Sequence, residues 1–109
     1  MSAHEEQKVI DRIEEQIKEN QIILYMKGSP NMPQCGFSAN AANAVRSCGK
    51  PFAFVNILEN PDIRATLPKY ANWPTFPQLW VKGELIGGCD IIMEMKESGE
   101  LQELIDSIK

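Results

Sequence analysis

Apolar residues along this chain change their spacing several times, and each change marks a new element. Val9, Ile10, Ile13 and Ile17 recur at helical spacing in a charged background, which predicts an amphipathic helix over about 5–19. Gln21 to Met26 is a mostly apolar run of the kind that makes a buried strand, and Gly28, Ser29, Pro30 and Pro33 turn it into a loop. Ala39 to Val45 is rich in alanine, with neither proline nor glycine until Gly49, so a helix over about 36–48 follows. Phe52 to Ile57 reads as a second buried strand. Asn60 and Pro61 then supply an N-cap and a first-turn proline for a short helix that ends at Pro68 or shortly beyond. Pro77–Val81 and Glu84–Ile86 are short strands around Lys82-Gly83, a two-residue hairpin connection. Ile91, Ile92 and Met95, then Leu101, Leu104, Ile105 and Ile108, give two closing helical segments, the second capped by Ser98.

This order predicts an α/β chain with a small mixed four-stranded sheet and helices on both faces. Parallel strands joined by a right-handed crossover and extended by a hairpin form the core of a thioredoxin-like fold, although other small α/β arrangements share the order. At 109 residues the whole chain, 1–109, is expected to be one domain.

Composition removes several classes of function. Hydrophobic residues make up 43% and charged residues 24%, ordinary globular usage. No apolar run approaches the roughly 20 residues of a membrane helix. The N-terminus is acidic where a secretory signal is basic, so a soluble, cytoplasmic protein without membrane association is expected. A net charge of -4 argues against nucleic-acid partners. That total hides a gradient: residues 21–83 carry six bases and two acids, while both ends are acidic. Lys27, Arg46, Lys50, Arg64, Lys69 and Lys82 are spread along the middle, a pattern that suits a small anionic ligand better than a polyanion.

The three cysteines, Cys35, Cys48 and Cys89, cannot all pair within one chain and form no C-x-x-C. An intrachain zinc site is therefore not expected, and free thiols in a reducing compartment remain. Cys35 falls where the loop becomes a helix, so unpaired backbone N–H groups, with Lys27 at the end of the preceding strand, favour its thiolate. In Cys35-Gly36-Phe37-Ser38 a hydroxyl occupies the second position of a dithiol redox motif. Any adduct on Cys35 must then await an external thiol.

The tetrad Cys35-Gly36-Phe37-Ser38 resembles that of monothiol glutaredoxins of the CGFS type. Met26-Lys27-Gly28-Ser29-Pro30, Trp73-Pro74-Thr75-Phe76-Pro77-Gln78-Leu79 and Gly87-Gly88-Cys89-Asp90 are similar to that family's other blocks. The resemblance spans nearly the whole chain and is to the short single-domain class. It implies a cis-proline turn at Thr75-Phe76-Pro77, where the backbone of Phe76 pairs with glutathione as an added strand. It also implies that Lys27, Arg64 and Lys69 hold the glycine end, and that Gly88, the Cys89 backbone and Asp90 hold the γ-glutamyl end. A 2Fe-2S cluster bridging a homodimer is implied as well, with Cys35 of each chain and two glutathione thiols as ligands. The partners implied are BolA-type proteins and apo iron-sulfur acceptors. The alternative reading is a glutathione-dependent oxidoreductase that reduces protein-glutathione mixed disulfides through Cys35, an activity in which the resembling family is weak.

Overall fold

The computed structural model describes residues 1–108. In chain order the elements are α1 (Ala3–Glu19), β1 (Ile22–Met26), α2 (Gly36–Arg46), β2 (Ala53–Asn56), α3 (Pro61–Ala71), β3 (Gln78–Val81), β4 (Glu84–Gly87), α4 (Cys89–Ser98) and α5 (Glu100–Asp106). The strands form one sheet in the order β2-β1-β3-β4. β1 runs parallel to β2, with Ile23 opposite Ala53 and Met26 opposite Asn56, and antiparallel to β3, with Tyr25 opposite Gln78. The sheet is mixed, as the order of elements predicts.

Alternation along β1 builds two cores. Ile22, Leu24 and Met26 face Ala41, Ala42, Ala44 and Val45 of α2, together with Ile92, Leu101 and Ile105. Ile23 and Tyr25 face the other way, onto Val9, Ile13 and Ile17 of α1 and Ile63 and Leu67 of α3. Central position explains why β1 is buried at every residue. β2 departs from the expected buried strand because it lies at the sheet edge, where Phe54 keeps 44% of its surface exposed.

One cap differs from expectation and a second is met in part. Asn60 makes no side-chain cap; its Nδ2 donates instead to Asn56 O at 2.9 Å. Ser98 belongs to α4, where its hydroxyl donates to Met95 O, but its oxygen also accepts the N–H of Glu100, the first residue of α5, at 3.3 Å. It thus serves the second helix, as expected, from one residue before the N-cap. Gly99, at φ 87°, both closes α4 and opens α5. α3 carries through Pro68 to Ala71 because buried Ile63, Thr66 and Leu67 hold it in place. The Trp73 N–H then closes onto Pro68 O at 3.0 Å. The far end of the chain is fastened by Lys50, whose ammonium donates to the carbonyls of Ile105 and Ile108. Among the described residues no helix is long and apolar enough to cross a membrane.

Candidate functional site

Cys35 is the N-cap of α2, with extended backbone at φ -155° and ψ 156°. Its Sγ accepts the N–H of Ser38 at 3.4 Å and stands 3.3 Å from Ser38 Oγ. Ser38 is fully buried, and its oxygen already accepts the Lys27 N–H at 3.0 Å. A hydroxyl has one proton, and with Lys27 donating to its oxygen that proton is free to point at the sulfur.

The loop ahead of Cys35 is held tightly. The Gly28 N–H donates to Asn56 Oδ1 at 2.9 Å, and the Gln34 N–H to Lys27 O at 2.9 Å. Gly28 sits at φ 91°, and a Cβ there would meet Met32 O at 2.5 Å and Gln34 N at 2.8 Å. Only glycine fits where the chain folds back on itself this closely. Phe37 and Met32, close to Cys35 in sequence, stay 65% and 69% exposed.

Burial works against an ionised Cys35. The Ser38 hydroxyl, the N–H groups of Ser38 and Phe37 and the charge of Lys27 outweigh it, so the thiol is held below its ordinary value. The other two thiols go the opposite way. Cys89 is raised by burial, by Asp90 and by the negative charge of Cys35, and Cys48 by burial, which outweighs the lowering by the Ser47 hydroxyl, with a lesser raising from Asp106. All three cysteines are free.

Beside Phe37 opens a cleft of about 400 Å³. Thr75, Phe76, Pro77, Gly88, Cys89 and Asp90 line it, so six of the expected ligand contacts come together here. The Phe76-Pro77 peptide is cis, as the resemblance implies. Gln78 fixes the loop from behind: fully buried, it donates through Nε2 to Trp73 O and Thr75 O at 3.1 and 3.2 Å. Its Oε1 accepts the Trp80 Nε1–H at 3.2 Å. Opposite this loop, α4 opens after its N-cap Gly88 with no side-chain cap, and Gly88, Cys89, Asp90 and Ile91 of this opening turn line the cleft.

Lys27 lies close enough to Cys35 to act on it electrostatically. Arg64 and Lys69 stand on α3, outside the lining of the cleft, and Lys69 Nζ lies 3.9 Å from Glu6 of α1. Sequence reasoning missed the supports, Gln78 and Asn56. A glutamine heading a buried apolar strand was the available signal for the first. Nothing in the sequence marked the second.

A glutaredoxin family model matches residues 22–86. Glutaredoxin 4 of Escherichia coli strain K12 is 69% identical over 96 residues, covering 88% of this chain and 84% of that protein. The chain belongs to the glutaredoxin family. It is also 63% identical to glutaredoxin 4 of Buchnera aphidicola from Acyrthosiphon pisum over 101 residues, covering 93% of this chain and 94% of its relative. Among solved structures, reduced apo GrxS14 from poplar superposes with a TM-score of 0.75 at 44% identity, over 93% of this chain and 90% of that one. The buckwheat glutaredoxin-glutathione complex reaches 0.85 at 18% identity, over 98% and 96% of the two chains. That likeness shows the thioredoxin-like glutaredoxin fold.

Proposed function

We propose that this glutaredoxin binds glutathione in the cleft beside Cys35 and carries a 2Fe-2S cluster between two chains in the cytoplasm. It would deliver the cluster to apo iron-sulfur proteins in cluster assembly and iron homeostasis. The observation that carries the reading is one half-buried sulfur, its thiol held below the ordinary value, whose motif neighbour at 3.3 Å is a hydroxyl rather than a thiol.

Glutathione is an extended tripeptide with a carboxylate at each end and an α-amino group. Against the cleft, the backbone of Phe76 would hold its centre as an added strand, and Lys27 with Arg64 its glycine carboxylate. The opening turn of α4 would take the γ-glutamyl carboxylate and Asp90 the ammonium. Lys69 would assist only by leaving Glu6.

An iron-sulfur cluster of this size takes four thiolates. Among the described residues no three His, Cys, Asp or Glu side chains gather to hold a metal, and Cys35 offers one sulfur. Ligands borrowed from a second chain and from two glutathiones complete the set, and a cargo held by so few protein bonds can be passed on. A BolA-type protein in place of one chain would give a heterodimer with the same cargo.

The same sulfur supports a second reading. Cys35 thiolate attacks the glutathione sulfur of a mixed disulfide, the protein leaves as a thiol, and a Cys35-glutathione disulfide remains. A second glutathione then attacks that bond, releasing glutathione disulfide and restoring Cys35. Because Ser38 cannot resolve the adduct, turnover depends on free glutathione. Reconstitution with iron and sulfide separates the readings. The carrier forms a coloured dimer when glutathione is present and a colourless monomer when it is not. Brisk turnover of a mixed disulfide with no colour formed favours the enzyme.

A further inference from the structure

Asn56 closes β2 opposite Met26, the last register pair of the two parallel strands, and beyond it the chains part. β1 runs on into Lys27 and the loop before Cys35, while β2 turns towards α3. Carboxyl ends of parallel strands are where open α/β sheets place their ligands.

The Asn56 side chain spans this fork. Its Oδ1 accepts the Gly28 N–H at 2.9 Å and the Leu58 N–H at 3.0 Å, and its Nδ2 donates to Glu59 Oε1 at 3.2 Å. Two N–H donors on one side and a carboxylate on the other fix which way the amide points. Lys27 passes the constraint on: its N–H donates to Ser38 Oγ at 3.0 Å and its carbonyl accepts the Gln34 N–H at 2.9 Å, on either side of Cys35. The Asn56 carbonyl serves the other branch, accepting Asn60 Nδ2 at 2.9 Å. Asn60 O in turn accepts the N–H of Arg64, in the first turn of α3, at 3.0 Å. One residue is thus tied to Lys27 through its neighbour Gly28 and to Arg64 through Asn60.

We infer that Asn56 is a positioning residue, setting Lys27 and Arg64 relative to one another as a pair for the glycine carboxylate of glutathione. The inference rests on the assignment of that carboxylate to these two cations in the reading above, and adds the residue that holds them together. Two cations sharing one carboxylate must both be in place, so loosening the fork costs affinity at the glycine end and spares the γ-glutamyl end.

Calorimetric titration with glutathione and with γ-glutamylcysteine, which lacks the glycine, compares the two ends. Wild type is expected to prefer glutathione. Asn56→Leu keeps the bulk and removes the acceptor. It should raise the Kd for glutathione about fivefold, the size of one hydrogen bond, and that for γ-glutamylcysteine less than about twofold. In the same variant the alkylation midpoint of Cys35 should move upward, because Lys27 and the Ser38 hydroxyl lose their fixed place beside the sulfur. Asn60→Ala cuts only the tie to α3. It should weaken glutathione selectively with the Cys35 midpoint unmoved, and it decides the matter should Asn56→Leu not fold. Equal losses for the two thiols or an undiminished preference for glutathione in either variant, or a Cys35 midpoint unmoved by Asn56→Leu, would overturn the inference while glutathione binding stands. A wild type that binds the two thiols equally would overturn the glycine-end assignment beneath it as well.

Discussion

Ser38 Oγ stands 3.3 Å from Cys35 Sγ while accepting the backbone N–H of Lys27 at 3.0 Å. The end of β1 thus orients a buried hydroxyl, and that hydroxyl offers its proton to the sulfur that opens α2. In a dithiol site a second sulfur would occupy this place and clear any adduct. Here the same position stabilises the thiolate and leaves it waiting for an outside partner.

Alkylation reads this arrangement directly. Cys35 should react with iodoacetamide with a midpoint below the ordinary thiol value of about 8.5, and ahead of Cys48 and Cys89, which are held above theirs. Ionisation is the reactive event, so lowering the pH through the Cys35 midpoint switches its labelling off. Ser38→Ala should move that midpoint upward. Mass spectrometry of digests across a pH series checks both the order and the shift.

Two glycines near the sulfur should respond oppositely. Gly28→Ala places a methyl group against backbone at 2.5 and 2.8 Å with φ at 91°, and should cost at least ~2 kcal/mol. Gly36→Ala meets nothing within 4 Å and should change stability by no more than about 0.5 kcal/mol. Urea denaturation of the two variants measures the contrast.

Gln78→Ala removes one side chain that satisfies Trp73 O, Thr75 O and Trp80 Nε1 together. Three buried or part-buried polar groups lose their partner at once, and the expected loss is about 2–4 kcal/mol. For a domain of this size that is a fall in Tm of roughly 10–25 °C by calorimetry. Glutathione affinity should fall with it, since the loop that Gln78 holds presents Phe76 to the cleft.

The two lysines proposed for the glycine end of glutathione are not equivalent. Lys27 acts on Cys35, whereas Lys69 stands 3.9 Å from Glu6 of α1 and outside the lining of the cleft. Lys27→Met should weaken glutathione binding about tenfold, and Lys69→Met less than about threefold. Calorimetric titration distinguishes them, and equal losses would return Lys69 to the site.

What was legible in the sequence followed from local rules. The alternation of β1, the glycine-and-proline loop before Cys35 and the hairpin at Lys82-Gly83 each carry their structure within a few residues, and all three formed where the pattern predicts. Phe54 defeated the reading of β2, because whether a strand is central or at an edge depends on strand order, which no short window contains. Asn60 has the chemistry of a helix cap but its side chain donates to Asn56 O and caps nothing, whereas Ser98 donates to Met95 O and still accepts the Glu100 N–H that opens α5. Within the site, the residues that line the cleft lie in compact motifs and could be named in advance. Asn56 works across 28 residues, through a contact that exists only once β1 and β2 have paired, and Gln78 ties three groups two to five residues away through side-chain bonds that no hydropathy pattern signals.

Stoichiometry of the reconstituted species tests the central claim most directly. Protein loaded anaerobically with iron, sulfide and glutathione, then separated by size, should give a coloured dimer holding two irons, two sulfides and two glutathiones per two chains. Cys35→Ser should give none, while Cys48→Ser and Cys89→Ser keep it. Colour that persists in Cys35→Ser, or a cluster that forms on one chain without glutathione, would contradict the account.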